Sequence, residues 1–207
     1  NYAHSYGYSS FTVHNGICVV EGLLRRGGGN NMARVPAACR PAGRLIFNMN
    51  NHQHSARVDL QTNGYMSWHA GGRSHGWLSV SGMILAVRAG RSSRAPTVAK
   101  SGIGFVNRWR NYGHGYMPLR VFKRGGFCIL EGLIKNGGGG WNLLAQFGSD
   151  CRPNKRLIFS VNNHQSQARL DVLRNGQVHW VAGGKHHGWI SVSGVAFAAR
   201  SAGQKGL

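Results

Sequence analysis

Acid–base chemistry needs carboxylates, and this chain holds few of them. Only five of its 207 residues are acidic: Glu21, Asp59, Glu131, Asp150 and Asp171. Four fall in matched contexts, Glu21 in ICVVEGLL with Glu131 in FCILEGLI, and Asp59 in SARVDL with Asp171 in QARLDV. A glycosidase needs two carboxyl groups about 5–10 Å apart, so one Glu and one Asp per segment is the only pairing on offer. Both have nearer structural roles. Arg57 precedes Asp59 by two positions and Arg169 precedes Asp171 likewise, so on an extended strand the two side chains leave the same face as an ion pair. Glu21 sits in an apolar strand, where a basic group of the CRP-x-x-R segment is expected to meet it. These readings predict no enzyme and no catalytic residue.

Histidine offers the other chemistry, with eleven residues. His4 and His114, His52 and His164, and His75 and His187 recur as pairs, whereas His54, His69, His179 and His186 form no common set. The His-x-His of His52 and His54 has a metal-ligand look, but Ser166 replaces the second histidine further on, and no CxxC spacing exists. Neither a metal nor another cofactor is expected. A Ser-His-Asp triad lacks its nucleophile elbow, and the SVSG serines read as the polar face of a strand.

These recurrences extend along the chain. NYAHSY at 1–6 returns as NYGHGY at 111–116, and CRPAGRLIF at 39–47 as CRPNKRLIF at 151–159. The offset is 110 before the second cysteine of each copy and 112 from there on. Self-similarity at this scale means two copies of one structural unit: a first repeat at 1–92, a basic linker at 93–110 and a second repeat at 111–207. Short β-rich runs such as CVVEGLL, RLIFNMN, SARVDL and WLSVSGMILAV alternate with Gly, Pro and Asn clusters. The pattern predicts an all-β chain of two tandem β-sandwich or jelly-roll-like domains. SARVDL reads as a half-buried strand with one wet face. Asn63-Gly64 and Asn175-Gly176 sit where a type I′ hairpin turn belongs, with Trp68 and Trp180 on the following arms.

Each copy carries two cysteines, Cys18 with Cys39 and Cys128 with Cys151. A bridge within each copy would close a loop of 21 or 23 residues and implies an oxidising compartment; four reduced thiols are the alternative. The setting predicted is extracellular or derived from the secretory pathway. No apolar run is long enough to span a bilayer. The opening NYAHSYGYSS is neither a signal nor a transit peptide, so any targeting segment is expected to have been removed.

The motif order VEGL, CRP-x-x-RLIFN-x-NNH, ARVDL, NG, GG-x-x-HGW and SVSG resembles a tandem repeat of large, poorly characterised proteins of dinoflagellate algae. The likeness spans nearly all of both copies. At the level of fold, the strand order and closing WISVSG also resemble C-terminal β-sandwich domains of phage receptor-binding proteins. Neither resemblance implies a catalytic residue. The chain departs from the repeat in being far more basic, as in KHHGW.

That basicity is the strongest functional pointer. Twenty-five Lys and Arg give a formal charge of +20, and 42% hydrophobic content argues against disorder. Such a charge favours polyanionic partners. One expectation is a lectin-like or matrix-forming module, in a filament or coat with other subunits, that recognises glycan or acidic polysaccharide. Its candidate ligand residues are Asn51, His52, Arg57, Asp59, Trp68, His75 and Trp77 in the first copy, matched by Asn163, His164, Arg169, Asp171, Trp180, His187 and Trp189. Those residues equally suit hairpin pinning and core filling. The alternative is a basic architectural subunit holding nucleic acid or acidic protein through Arg88, Arg91, Arg94, Lys100, Arg108, Arg110, Arg120, Lys123 and Arg124. Trp109 and Tyr112, interleaved there, suit stacking on a single strand.

Overall fold

The computed structural model describes residues 5–25, 27–87, 97–98 and 102–200. The chain is all-β: apart from two 3-10 turns, Ala37–Cys39 and Ser149–Cys151, every regular element among the described residues is a strand. Among the described residues, no helix is long and apolar enough to cross a membrane. The first unit contains β1 (Ser10–His14), β2 (Ile17–Glu21), β3 (Leu23–Arg25), β4 (Asn31–Arg34), β5 (Leu45–Asn51), β6 (His54–Leu60), β7 (Tyr65–Gly71), β8 (Trp77–Ser79) and β9 (Met83–Ala86). Three short strands follow: β10 (Thr97–Val98), β11 (Ile103–Phe105) and β12 (Arg110–Asn111). The second unit then repeats the first nine as β13 (Arg120–Arg124), β14 (Phe127–Glu131), β15 (Leu133–Lys135), β16 (Leu143–Phe147), β17 (Leu157–Asn163), β18 (Ser166–Val172), β19 (Gln177–Gly183), β20 (Trp189–Ser191) and β21 (Ala196–Ala198).

Each unit pairs a small antiparallel sheet with a large one. In the first, β1-β2-β9 faces β3-β8-β5-β6-β7-β4. The second keeps both orders, with β10 added at the edge of the small sheet, and β11 and β12 at the two edges of the large one. The segment expected as a linker, 93–110, thus supplies strands to the second unit's sheets. Apolar residues at alternating positions of β5, Leu45, Phe47 and Met49, point into the first core with Val58 and Leu60 of β6 and Cys18, Val20, Met83 and Leu85 of the small sheet. Leu144, Val161, Leu170, Val172, Ile190 and Phe197 do the same in the second. Disulfides Cys18–Cys39 and Cys128–Cys151 tie each small sheet to the loop entering its β5 or β17.

Two turn assignments change. Neither Asn63 nor Asn175 is left-handed; only Gly64 (φ 91°) and Gly176 (φ 89°) are. Four residues, Gln61–Gly64, separate β6 from β7, the Gly64 N–H donates to Gln61 O, and Gln61 N–H donates to Tyr65 O. This is a type I turn closed by a left-handed glycine, the geometry of a longer hairpin loop. A Cβ on Gly64 would lie 2.6 Å from Val35 O. The two-residue turn with both φ positive occurs instead at Asn15-Gly16 (49° and 76°), where His14 pairs directly with Ile17.

The two units pack β5 and β6 against β17, β18 and β20. Ile46, Leu133 and Trp189 form a buried apolar seam with Tyr112 and Tyr116 against it. The wet face expected for SARVDL is therefore covered in the first unit, where Arg57 and Asp59 are buried along with Val58 and Leu60. Some seam contacts join a residue to its own counterpart: Asn48 donates to Ser160 Oγ at 3.0 Å and Ser55 Oγ to Gln167 Oε1 at 3.2 Å.

Candidate functional site

The Arg-x-Asp pairs form as predicted, and each recruits a third member. Arg57 grips Asp59 with Nε to Oδ1 at 2.6 Å and Nη2 to Oδ2 at 2.7 Å. Arg44 Nε reaches Oδ2 at 2.6 Å. In the second unit, Arg169 donates to Asp171 at 2.8 and 2.9 Å and Arg156 at 2.5 Å. Arg44 and Arg156 are the arginines of CRP-x-x-R, so that segment meets the aspartate and not Glu21, which stays exposed. Two guanidiniums around one buried carboxylate satisfy its oxygens and leave a surplus positive charge. Burial pulls the Arg57 pKa down, but the bond to Asp59 prevails and holds it above the ordinary value. The Arg169 hydrogen bond, helped by Arg156, holds Asp171 below the usual carboxylate range.

The Asn-Asn-His element ahead of each of these strands works as a hairpin clasp. Asn51 and His54 pair across the turn, and His52 (φ 60°) and His164 (φ 62°) adopt the left-handed conformation there. Asn50 Nδ2 donates to His52 O at 2.6 Å and Asn162 Nδ2 to His164 O at 2.9 Å. Asn51, fully buried, donates to the carbonyls of His75 and Trp77 and accepts the His75 N–H. Asn163 likewise donates to Trp189 O. One asparagine thus closes the turn, and the next pins the HGW loop beside it.

The clasp gathers a His-His-Trp cluster at the end of each large sheet. Ring centroids of His52 and His75 lie 4.4 Å apart, and those of His75 and Trp77 5.7 Å. His164 and His187 are also 4.4 Å apart, with Trp189 5.9 Å from His187. The surroundings differ. Arg57 of the first unit donates toward His164 Nδ1 (3.2 Å) and to Tyr116 Oη (3.1 Å), and its guanidinium lies 5.3 Å over the Trp189 ring. Burial first, then the charges of His187 and Arg57, lower the His164 pKa. In the first unit His52 remains exposed and His75 and Trp77 half-buried. No group of three or more His, Cys, Asp or Glu among the described residues can hold a metal ion.

The remaining predicted site residues scatter. Trp68 is buried with its Nε1–H on Gly71 O, and Trp180 is half-buried with Nε1–H on Gly184 O. Arg88, Arg91, Arg94 and Lys100 lie outside the described residues. Arg108, Arg110 and Arg120 are exposed, Lys123 and Arg124 half-buried, and Arg124 Nε donates to Asn15 O. Of the two residues expected as a stacking platform among them, Trp109 is buried and Tyr112 half-buried. Trp109 is 3% exposed, donates to Gly140 O and packs edge-on against Trp141, and Tyr112 packs against Tyr116.

Sequence reasoning missed Glu131. It is fully buried at the seam, where Oε1 accepts the Ala86 N–H of the first unit at 2.6 Å. Its distinction from Glu21 depends on which copy is covered, and nothing in two matching VEGL and LEGL segments signals that. Comparison with family models, with curated proteins and with solved structures finds no match.

Proposed function

We propose that this chain is a non-catalytic recognition and structural module of an extracellular assembly, and that its ligand is an acidic polymer, foremost a sulfated or uronic polysaccharide. The supporting observation is where the charges lie. Three of the five carboxylates, Asp59, Glu131 and Asp171, are buried at 0% exposure, and Asp150 is half-buried. Only Glu21 is exposed, whereas Arg25, Arg34, Arg73, Arg174, Lys185 and Arg200 are among many exposed cations. The exposed charge of the described residues is therefore almost wholly cationic, with guanidinium forks suited to bidentate sulfate or carboxylate contacts. The two disulfides accord with a secreted setting. Burial of Trp109 weighs against stacking of a single-stranded nucleic acid on that segment.

Binding to a sulfated glycan, a uronic glycan, a neutral glycan and single-stranded RNA, each at 50 and 200 mM salt, tests this reading. Affinity for the acidic glycans should fall about 10³-fold across that salt range if six or more charges are engaged. Salt-insensitive binding to the neutral glycan, or RNA binding tighter than that of a glycan of equal charge density, would overturn it.

A further inference from the structure

Matching positions of the two units are covered reciprocally. Trp189, Ser191, Glu131 and Asn162 of the second unit are 7%, 1%, 0% and 1% exposed. Each touches the first unit: Trp189 under Arg57, Ser191 Oγ on Ile46 O at 2.6 Å, Glu131 on the Ala86 N–H and Asn162 on Asn48 Oδ1. Their counterparts Trp77 and Ser79 are half-buried, and Glu21 and Asn50 exposed. On the opposite face the order inverts. Ile46 is 1% exposed but Ile158 is 60%. The Arg57 and Arg44 side chains are 10% and 29% exposed, and those of Arg169 and Arg156 are 42% and 55%.

Beyond the counterpart contacts of Asn48 with Ser160 and Ser55 with Gln167, the seam therefore joins two unlike faces. A receiving face on β5 and β6 presents Ile46 and Arg57, and an inserting face presents Trp189, Ser191, Leu133 and Glu131. Every unit carries both faces, and each has one of them covered. The first unit's inserting face stays open as a cleft of about 740 Å³ lined by Tyr8, Glu21, Leu23, Asn50, Trp77 and Ser79. The second unit's receiving face stays open as a groove of about 270 Å³ lined by Ile158, Phe159, Arg169 and Ala182 and, where it borders the internal seam, by Ser160 and Gln167, which also meet Asn48 and Ser55.

We propose that these two open faces dock on each other between copies of this chain, the first unit of one copy seating on the second unit of the next. The occupant follows from continuity with the internal seam, since its Ile46, Arg57, Trp189, Ser191, Glu131 and His164 are matched by the same residue types at the open positions, while Asn48 and Ser55 give way to Ser160 and Gln167. In the junction Arg169 covers Trp77 and meets His52, Ser79 Oγ donates to Ile158 O, and Glu21 accepts the Ala198 N–H. An isoleucine exposed beside a groove is the apolar contact such a junction would bury. Because the faces differ, the pairing is head-to-tail. With a charge of +20 on every copy, added salt relieves repulsion and strengthens it. That sign is opposite to polyanion binding, so this proposal and the preceding one stand or fall separately.

Sedimentation velocity of the full chain, with no polymer present, decides the matter. At up to about 1 mM chain and at roughly 0.15 and 0.5 M salt, the wild type should sediment above its 22.5 kDa monomer mass, more so at the higher salt. Ile158→Glu blocks the receiving face and Glu21→Arg the inserting face. Each alters an exposed side chain, so each variant should melt with the wild type yet sediment as a monomer. Mixed in equal amounts they retain one good face apiece and should form a heterodimer. Ile158→Ser is a milder second variant, expected to weaken association about tenfold. A wild type that stays monomeric throughout, folded variants that still associate, or a mixture that stays monomeric would each overturn the proposal.

Discussion

Replacing Glu131 with glutamine isolates the energetics of the seam. One oxygen of this carboxyl accepts the Ala86 N–H, and Oε2 has no hydrogen-bond partner among the described residues. Burial is the largest influence and raises the pKa from 4.5 to about 7, against the opposing pull of the Ala86 N–H and of Arg120. The folded chain thus keeps a proton that the unfolded chain releases. For a carboxyl with a raised pKa, the associated stability is present below pH 4.5 and disappears as pH climbs to about 7. The interval from 4.5 to 7 is 2.5 units, and at 1.36 kcal/mol per unit it corresponds to about 3 kcal/mol. Glu131→Gln preserves shape and the accepting oxygen while removing the ionisation. In urea denaturation the variant should therefore gain on the wild type by 2–3 kcal/mol between pH 5 and pH 8, with the exposed Glu21→Gln as matched control. His69, His164 and His179, whose pKa values burial lowers, act oppositely. Their contribution is present above about 6.5 and fades as pH falls, and it cancels between the two proteins. A stability difference that stays constant from pH 5 to 8 would refute the reasoning.

Three further outcomes follow from the asymmetry and the staples. Asp59→Asn strands Arg57 inside the seam and should cost about 3–5 kcal/mol, whereas Asp171→Asn, whose arginines turn to water, should cost only about 1 kcal/mol; urea titration of the pair compares them directly. Reducing either disulfide frees a loop of 21 or 23 residues and should lower stability by about 3 kcal/mol, visible as a drop in melting temperature with dithiothreitol. Gly64→Ala forces a left-handed alanine against Val35 O and should cost about 1–3 kcal/mol, while Asn63→Ala, at a position without positive φ, should cost less by the same melting assay.

Local pattern made much of this legible. Alternation in SARVDL, the repeat offsets and the paired cysteines led to strands, units and disulfides because each depends on residues close in sequence or on the duplication itself. The Arg-x-Asp pair was readable for the same reason, both side chains leaving one strand face. The basic group expected from CRP-x-x-R at Glu21 is found, as Arg44, at Asp59 because sheet order makes the choice, β5 lying beside β6 while β2 belongs to the other sheet. The Asn63-Gly64 turn misled because loop length, rather than the dipeptide, selects the turn; FTVHNGICVV held the true two-residue hairpin. What lay beyond reading was the seam. Ile46 and Ile158, or Glu21 and Glu131, share sequence contexts and part company only through which copy covers the other.

Both disulfides close within a unit and none crosses between units. Under tension along the chain this arrangement sets the order of yielding. The seam, which no disulfide spans, should part before the disulfide-closed loops do, drawing Met117 out of the first unit's core as it opens. If a unit then unravels, its bridge withholds the 21 or 23 residues it encloses, about 70–80 Å of contour. A strand of such units would stretch at its joints, recoil when the faces meet again, and carry load through covalent loops only at the last.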